Sequence, residues 1–139
     1  MKKKIIITVV IFLISNSLIA KNSYLFEGIE LFEKEKFEKA KLKFEQDIVV
    51  NPKSEVAYLY LSKIFKNLNK KNLQENNLNT VILLNPNNEE AIYDLALLKL
   101  DLSDYKKSAE LNNRLNNLCK KFCKESQKLK IEIDNLSKK

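Results

Sequence analysis

The stretches VVNPKSEVA (Val49–Ala57) and LLNPNNEEA (Leu83–Ala91) hold the only two prolines of the chain, Pro52 and Pro86, 34 residues apart. In each, an Asn-Pro step follows an apolar run and precedes an acidic, alanine-containing segment. Proline disfavours the α region for the residue before it, so each Asn-Pro step closes a helix. Ser54 or Asn88 then caps the next helix, with Glu55, or Glu89 and Glu90, in its first turn where the helix dipole favours acids. Two such joints at a fixed interval in a proline-poor chain imply a repeated unit rather than two unrelated turns.

Other positions keep the same register. Tyr58, Leu61 and Ser62 after the first joint are matched by Ile92, Leu95 and Ala96 after the second. Counting back by 34 gives Tyr24, Glu27 and Gly28. The first unit continues as FEKAKLKFEQDIVVNP, which carries Phe37, Ala40, Phe44 and Pro52 in order. In DYKKSAELNNRL, Tyr105 aligns with Phe37 and Ser108 with Ala40. The bulky residues Tyr24, Leu25, Phe26, Ile29, Leu31 and Phe32 have a helical spread, and Leu42, Phe44, Ile48 and Val49 continue at helical intervals. Ala40, Ser62, Ala96 and Ser108 are small where two helices approach closely. Helices are predicted near 22–34, 37–50, 55–67, 71–84, 89–101 and 104–118. A seventh, near 121–136, would cover the edge of the last pair with Phe122, Leu129, Ile133 and Leu136.

This pattern resembles the tetratricopeptide repeat (TPR), a 34-residue helix–turn–helix unit. The first unit matches it at Tyr24, Gly28, Phe37, Ala40, Phe44 and Pro52, and the second at Tyr58, Leu61, Ser62, Phe65 and Pro86. The second unit departs at Gln74, where a small residue is expected. The third keeps Leu95, Ala96 and Tyr105 but has Lys120 in place of the proline. The resemblance implies an all-α fold: a right-handed superhelical stack of about three helix–turn–helix units plus a C-terminal capping helix. The units fall at about 21–54, 55–88 and 89–122, with the cap at about 121–136, and 21–139 forms one TPR domain.

Composition agrees with a helical protein. Of 139 residues, 45% are hydrophobic and 31% charged, with one glycine and two prolines, which leaves little turn material for a many-stranded β fold. The N-terminus is organised differently. Lys2, Lys3 and Lys4 precede the apolar run Ile5–Ile14, followed by Ser15, Asn16, Ser17 and Ala20. Residues 1–20 therefore read as a secretory signal peptide, cleaved after Ser17 or Ala20, or as an uncleaved anchor. Only 16 uncharged residues separate Lys4 from Lys21, fewer than the roughly 20 that a spanning helix needs. An exported protein of the periplasm or cell envelope is expected. Three of the seven net positive charges reside on Lys2–Lys4, so +4 remains after cleavage. Those charges mix with glutamates as on solvated helix faces, and with one arginine and no tryptophan a nucleic-acid partner is not expected.

Little in the chain supports catalysis. Histidine is absent, which removes the commonest general base and metal ligand. One glycine cannot build a phosphate loop. Glu27, Glu30, Glu33, Glu35 and Glu38 are interleaved with lysines as on a solvated face. No enzyme activity, cofactor or metal is expected. Cys119 and Cys123, in LCKKFCK, straddle the turn before the cap. Two readings stand for them: a disulfide of an exported protein, or two free buried thiols.

The resemblance also implies a concave groove lined by the first helix of each pair. Its candidate residues are Leu25, Ile29 and Phe32 in the first unit, Leu59, Lys63 and Lys66 in the second, and Tyr93, Leu97 and Leu100 in the third. That groove would be largely apolar with a basic middle at Lys63 and Lys66. Family members that clamp a peptide's C-terminal carboxylate carry Lys and Asn where this chain has Leu25 and Ile29, so that mode is not expected. The expected function is a non-catalytic adaptor or scaffold that binds a protein or peptide. The alternative is a structural envelope component, membrane-anchored or self-associating, whose groove is covered by the seventh helix, the N-terminal residues or a second copy.

Overall fold

The computed structural model describes residues 24–137. The signal peptide or anchor predicted at 1–20 lies outside the described residues. Within them the chain forms seven helices and no strand: α1 (24–33), α2 (Phe37–Val50), α3 (Glu55–Asn67), α4 (Lys71–Leu84), α5 (Glu89–Asp101), α6 (Tyr105–Leu118) and α7 (Cys123–Leu136). The predicted helices thus form, and the described ends differ from expectation by two residues at most.

A period of 34 is written into the backbone as well as the side chains. Glu35, Asn69 and Ser103 each take a positive φ, of 56°, 55° and 61°. The amide after each reaches back to close the preceding helix: Lys36 N to Leu31 O at 2.9 Å, Lys70 N to Phe65 O at 2.8 Å, and Asp104 N to Lys99 O at 2.9 Å. This is the 6→1 bond of a Schellman ending, here made without glycine. The Asn-Pro joints repeat just as closely. Asn51 and Asn85 both have φ −136°, and their amides bond to Asp47 O at 2.7 Å and Val81 O at 2.8 Å. Asn88 caps α5 as expected, its side chain accepting from Ala91 N at 2.8 Å. Ser54 differs, because its hydroxyl donates to the buried carboxylate of Asp47.

The chain forms two compact units, one ending at Tyr60 and the other beginning at Leu61. In the first, α1 and α2 pack where Gly28 faces the fully buried ring of Phe44. Phe44 stacks on Tyr60 with ring centres 5.1 Å apart, and Phe32 meets Phe37 and Tyr60 edge-on at 5.5 and 5.0 Å. Lys43 of α2 pairs with Glu27 of α1 at 2.6 Å. Leu42 and Val49 do not join this packing; both are exposed, because the inward face of α2 is Ala40, Phe44 and Asp47. Val49 and its repeat equivalent Leu83 are each 80% exposed.

In the second unit α5 is the central helix, packed against α4, α6 and α7. Ala91, Ile92, Leu95, Ala96, Leu98 and Leu100 are buried along it. Ser108 of α6 sits close against α5, its hydroxyl donating to Ala96 O at 2.8 Å. Gln74, the departure from the small-residue pattern, is buried on α4 beside Leu78 and Val81. Lys99 reaches Glu75 at 2.6 Å and Lys71 reaches Asp101 at 2.5 Å, joining α4 to α5 at its last turns.

Candidate functional site

The groove residues proposed from the sequence fall into three groups. Leu59 and Leu100 are 9% and 7% exposed, so they belong to the packing and cannot serve as a contact surface. This corrects their assignment: leucine at a first-helix position is taken into the core when neighbouring helices converge on it. Phe32 is half-buried and held between Phe37 and Tyr60. Leu25 and Ile29 on α1, and Lys63, Lys66, Tyr93 and Leu97 in the second unit, keep accessible surface.

In the second unit these side chains form a mixed face on α3 and α5. Lys63 Nζ lies 2.6 Å from Glu90 Oε1, which ties the two helices together. Asp94 lies within electrostatic reach of Lys66 and Lys63. Burial raises the pKa of Asp94, Lys66 works against that rise, Glu90 adds to it, and Lys63 lowers it again. The basic middle expected from Lys63 and Lys66 is therefore answered by acids one helix away, a pairing of residues nearly 30 positions apart. What the face offers is a row of alternating charge beside two apolar side chains, not a cationic patch.

Tyr93 and Leu97 border α7. The Tyr93 ring lies 5.4 Å from that of Phe122. Burial raises the pKa of its hydroxyl, and the carboxylates of Glu125, Asp94 and Glu132 push it further in the same direction. Leu97 lines an open cavity of about 440 Å³ with Tyr105, Glu132 and Leu136. The seventh helix thus flanks the α5 face along its length.

Glu89 has a role that its position in the sequence does not announce. Placed in the first turn of α5 as a partner for the helix dipole, it turns instead to the α6–α7 loop. Its carboxylate accepts from the backbone amides of Lys120, Lys121 and Phe122 at 2.8, 2.7 and 2.9 Å. Those bonds, that from Lys121 foremost, hold its pKa below the ordinary carboxylate value against the opposing effect of burial. Cys119 and Cys123 bracket the same loop and are joined as a disulfide, with Cα atoms 4.9 Å apart. Cys119 ends α6 in the left-handed region at φ 34°. Among the described residues, no cluster of three or more Asp, Glu or Cys side chains is placed to hold a metal ion. Nor, among them, is any helix long and apolar enough to cross a membrane.

No protein-family model matches the chain, and no curated protein matches it in sequence. Solved structures do. The TPR2B domain of yeast Sti1, in complex with pHsp70, superposes with a TM-score of 0.77 at 16% identity, over 84% of this chain and 98% of that one. The TPR domain of Arabidopsis OM64 gives 0.72 at 19%, over 82% and 97%. The Yersinia enterocolitica type III secretion chaperone SycD, in complex with a peptide of the translocator YopD, gives 0.74 at 11%, over 84% and 91%. At these identities the likeness establishes a TPR-type, all-α fold.

Proposed function

We propose that this TPR-fold chain is a non-catalytic protein-interaction module that receives a protein or peptide on the face that Lys63, Lys66, Tyr93 and Leu97 form in its second unit. The observation that carries this reading is the face on α3 and α5 in a fold whose solved relatives include two with bound partners, yeast Sti1 with pHsp70 and SycD with a YopD peptide. Tyr93 and Leu97 supply apolar contact there, and Lys63, Lys66, Glu90 and Asp94 supply paired charge that a peptide backbone and polar side chains can exchange. Leu25 and Ile29 are the corresponding accessible apolar residues of α1. No cofactor is needed for such a role.

The proposal extends to location. The basic, apolar and small-residue run of residues 1–20 is organised for export. The Cys119–Cys123 bridge is in keeping with an oxidising compartment. The periplasm or cell envelope is therefore the proposed site of action. Anchoring through an uncleaved N-terminus is the second reading, resting on an apolar run after Lys4 that carries no charge for 16 residues but falls short of the roughly 20 of a spanning helix.

Photo-crosslinking from position 93 in the native cell, followed by identification of the adduct and reconstitution with the purified partner, tests the interaction. Lys66→Glu and Leu97→Glu should each weaken binding of that partner at least tenfold while leaving the helical spectrum intact. Undiminished binding by both variants would rule out the α3–α5 face. N-terminal sequencing of the mature protein separates a cleaved adaptor from an anchored form that retains Met1.

A further inference from the structure

We propose that the Cys119–Cys123 disulfide is a thiol-reducible latch that controls the docking of α7 beside the α5 face. Cys119 is exposed and Cys123 half-buried, at the first position of α7. A dithiol reductant attacks the Cys119 sulfur, and Cys123 leaves as a thiolate stabilised by the N-terminus of its own helix. The second thiol of the reductant then resolves the mixed disulfide. The protein S–S bond breaks and the reductant's forms, with two electrons and two protons passing to the cysteines.

The consequence for α7 follows from the narrow apolar face by which it packs on α6 and α5. Of its 14 residues only Ser126, Leu129 and Ile133 are buried, and the rest are mostly charged and exposed. The polar part of its seat is imperfect: Asn112 Nδ2 donates to Ser126 O at 3.0 Å, Ser126 Oγ donates to Asn112 O at 3.4 Å, and Asn112 Oδ1 is buried without a protein partner. A helix this short is marginal without tertiary support. Besides its packing on α6, the remaining tie is the set of three amides on Glu89 just before the helix, and it requires Lys120, Lys121 and Phe122 to present their N–H groups together. The disulfide closes that loop at both ends and fixes the presentation. Opening it restores freedom to the loop, weakens the Glu89 bonds as a set, and releases Phe122 from Tyr93.

Hydrogen exchange read by mass spectrometry on the full chain, oxidised and after treatment with dithiothreitol, tests the latch. Amides of α7 should exchange about tenfold faster in the reduced protein, the signature of a local opening, while those of α3 to α5 keep their protection. Cys119→Ser/Cys123→Ser should match the reduced protein and ignore dithiothreitol. Glu89→Gln, with the disulfide intact, should also raise exchange in α7 selectively. A rise under threefold in α7 on reduction, or an equal rise in every helix, would overturn the proposal. The readout is α7 itself, so the outcome stands apart from whether the α5 face receives a peptide.

Discussion

Replacing Gly28 by alanine sets two well-calibrated effects against each other. In an exposed helix the change gains about 1 kcal/mol, because alanine has less backbone freedom to lose. Here the added Cβ would lie 2.7 Å from Phe44 Cε1, 2.9 Å from Cδ1 and 3.0 Å from Cζ, well inside the roughly 3.5–4.0 Å of a good carbon contact. Phe44 has no exposed surface, and its ring is backed by Tyr60 at 5.1 Å, which itself meets Phe32. The ring cannot retreat without moving that cluster. Overpacking of this kind costs about 1–3 kcal/mol, so Gly28→Ala should destabilise the protein by about 1 kcal/mol net. Urea unfolding followed by circular dichroism gives the value, with an unchanged slope expected. Phe44→Leu makes room, and in that background Gly28→Ala should become stabilising by up to about 1 kcal/mol. The resulting coupling, about 2 kcal/mol, is of the size seen between residues in contact. Stabilisation by Gly28→Ala alone, or additivity of the two changes, would show that Phe44 does not resist the added methyl group.

Three further outcomes follow from buried polar groups. Ser54→Ala removes the hydroxyl donated to the buried Asp47 carboxylate and should cost about 1–3 kcal/mol, whereas Ser108→Ala, which frees a carbonyl already in a helix, should cost about 0.5–1.5 kcal/mol; urea midpoints rank them. Asp94 has a folded pKa above its unfolded value, so the folded state gains stability as pH falls through the folded pKa towards the unfolded one. Asp94→Asn should flatten that dependence and be neutral or stabilising at neutral pH, read from urea midpoints across the acid range. Glu89 is the opposite case: its folded pKa is depressed, so its contribution is present above the unfolded carboxylate pKa and lost as pH falls through the folded one. Glu89→Gln should lower the melting temperature at neutral pH, and the gap from the wild type should close in acid. A gap that persists unchanged in acid would contradict that role.

The repeat was legible because it rests on local physics. Asn51-Pro52 and Asn85-Pro86 end helices whatever surrounds them, and Gly28, Ala40, Ala96 and Ser108 mark close helix contacts by size alone. The turns within the pairs carried no such mark. Glu35, Asn69 and Ser103 share a left-handed backbone, but three unrelated side chains adopt it because the closing hydrogen bonds, not the residue types, require it. The groove was legible by position but not by chemistry. Burial of Leu59 and Leu100, and neutralisation of Lys63 by Glu90, depend on which helices converge there. Tyr60 and Glu89 gave no sequence signal, since one acts through rings from two other helices and the other through amides more than 30 residues away. Where helices begin, end and repeat was readable from the residues alone, since capping, proline and side-chain size act over a few residues. Which repeated positions stay accessible, and which acids meet Lys63 and the α6–α7 loop, emerge once the helices pack, because burial and charge pairing are properties of neighbours that the chain brings together from afar.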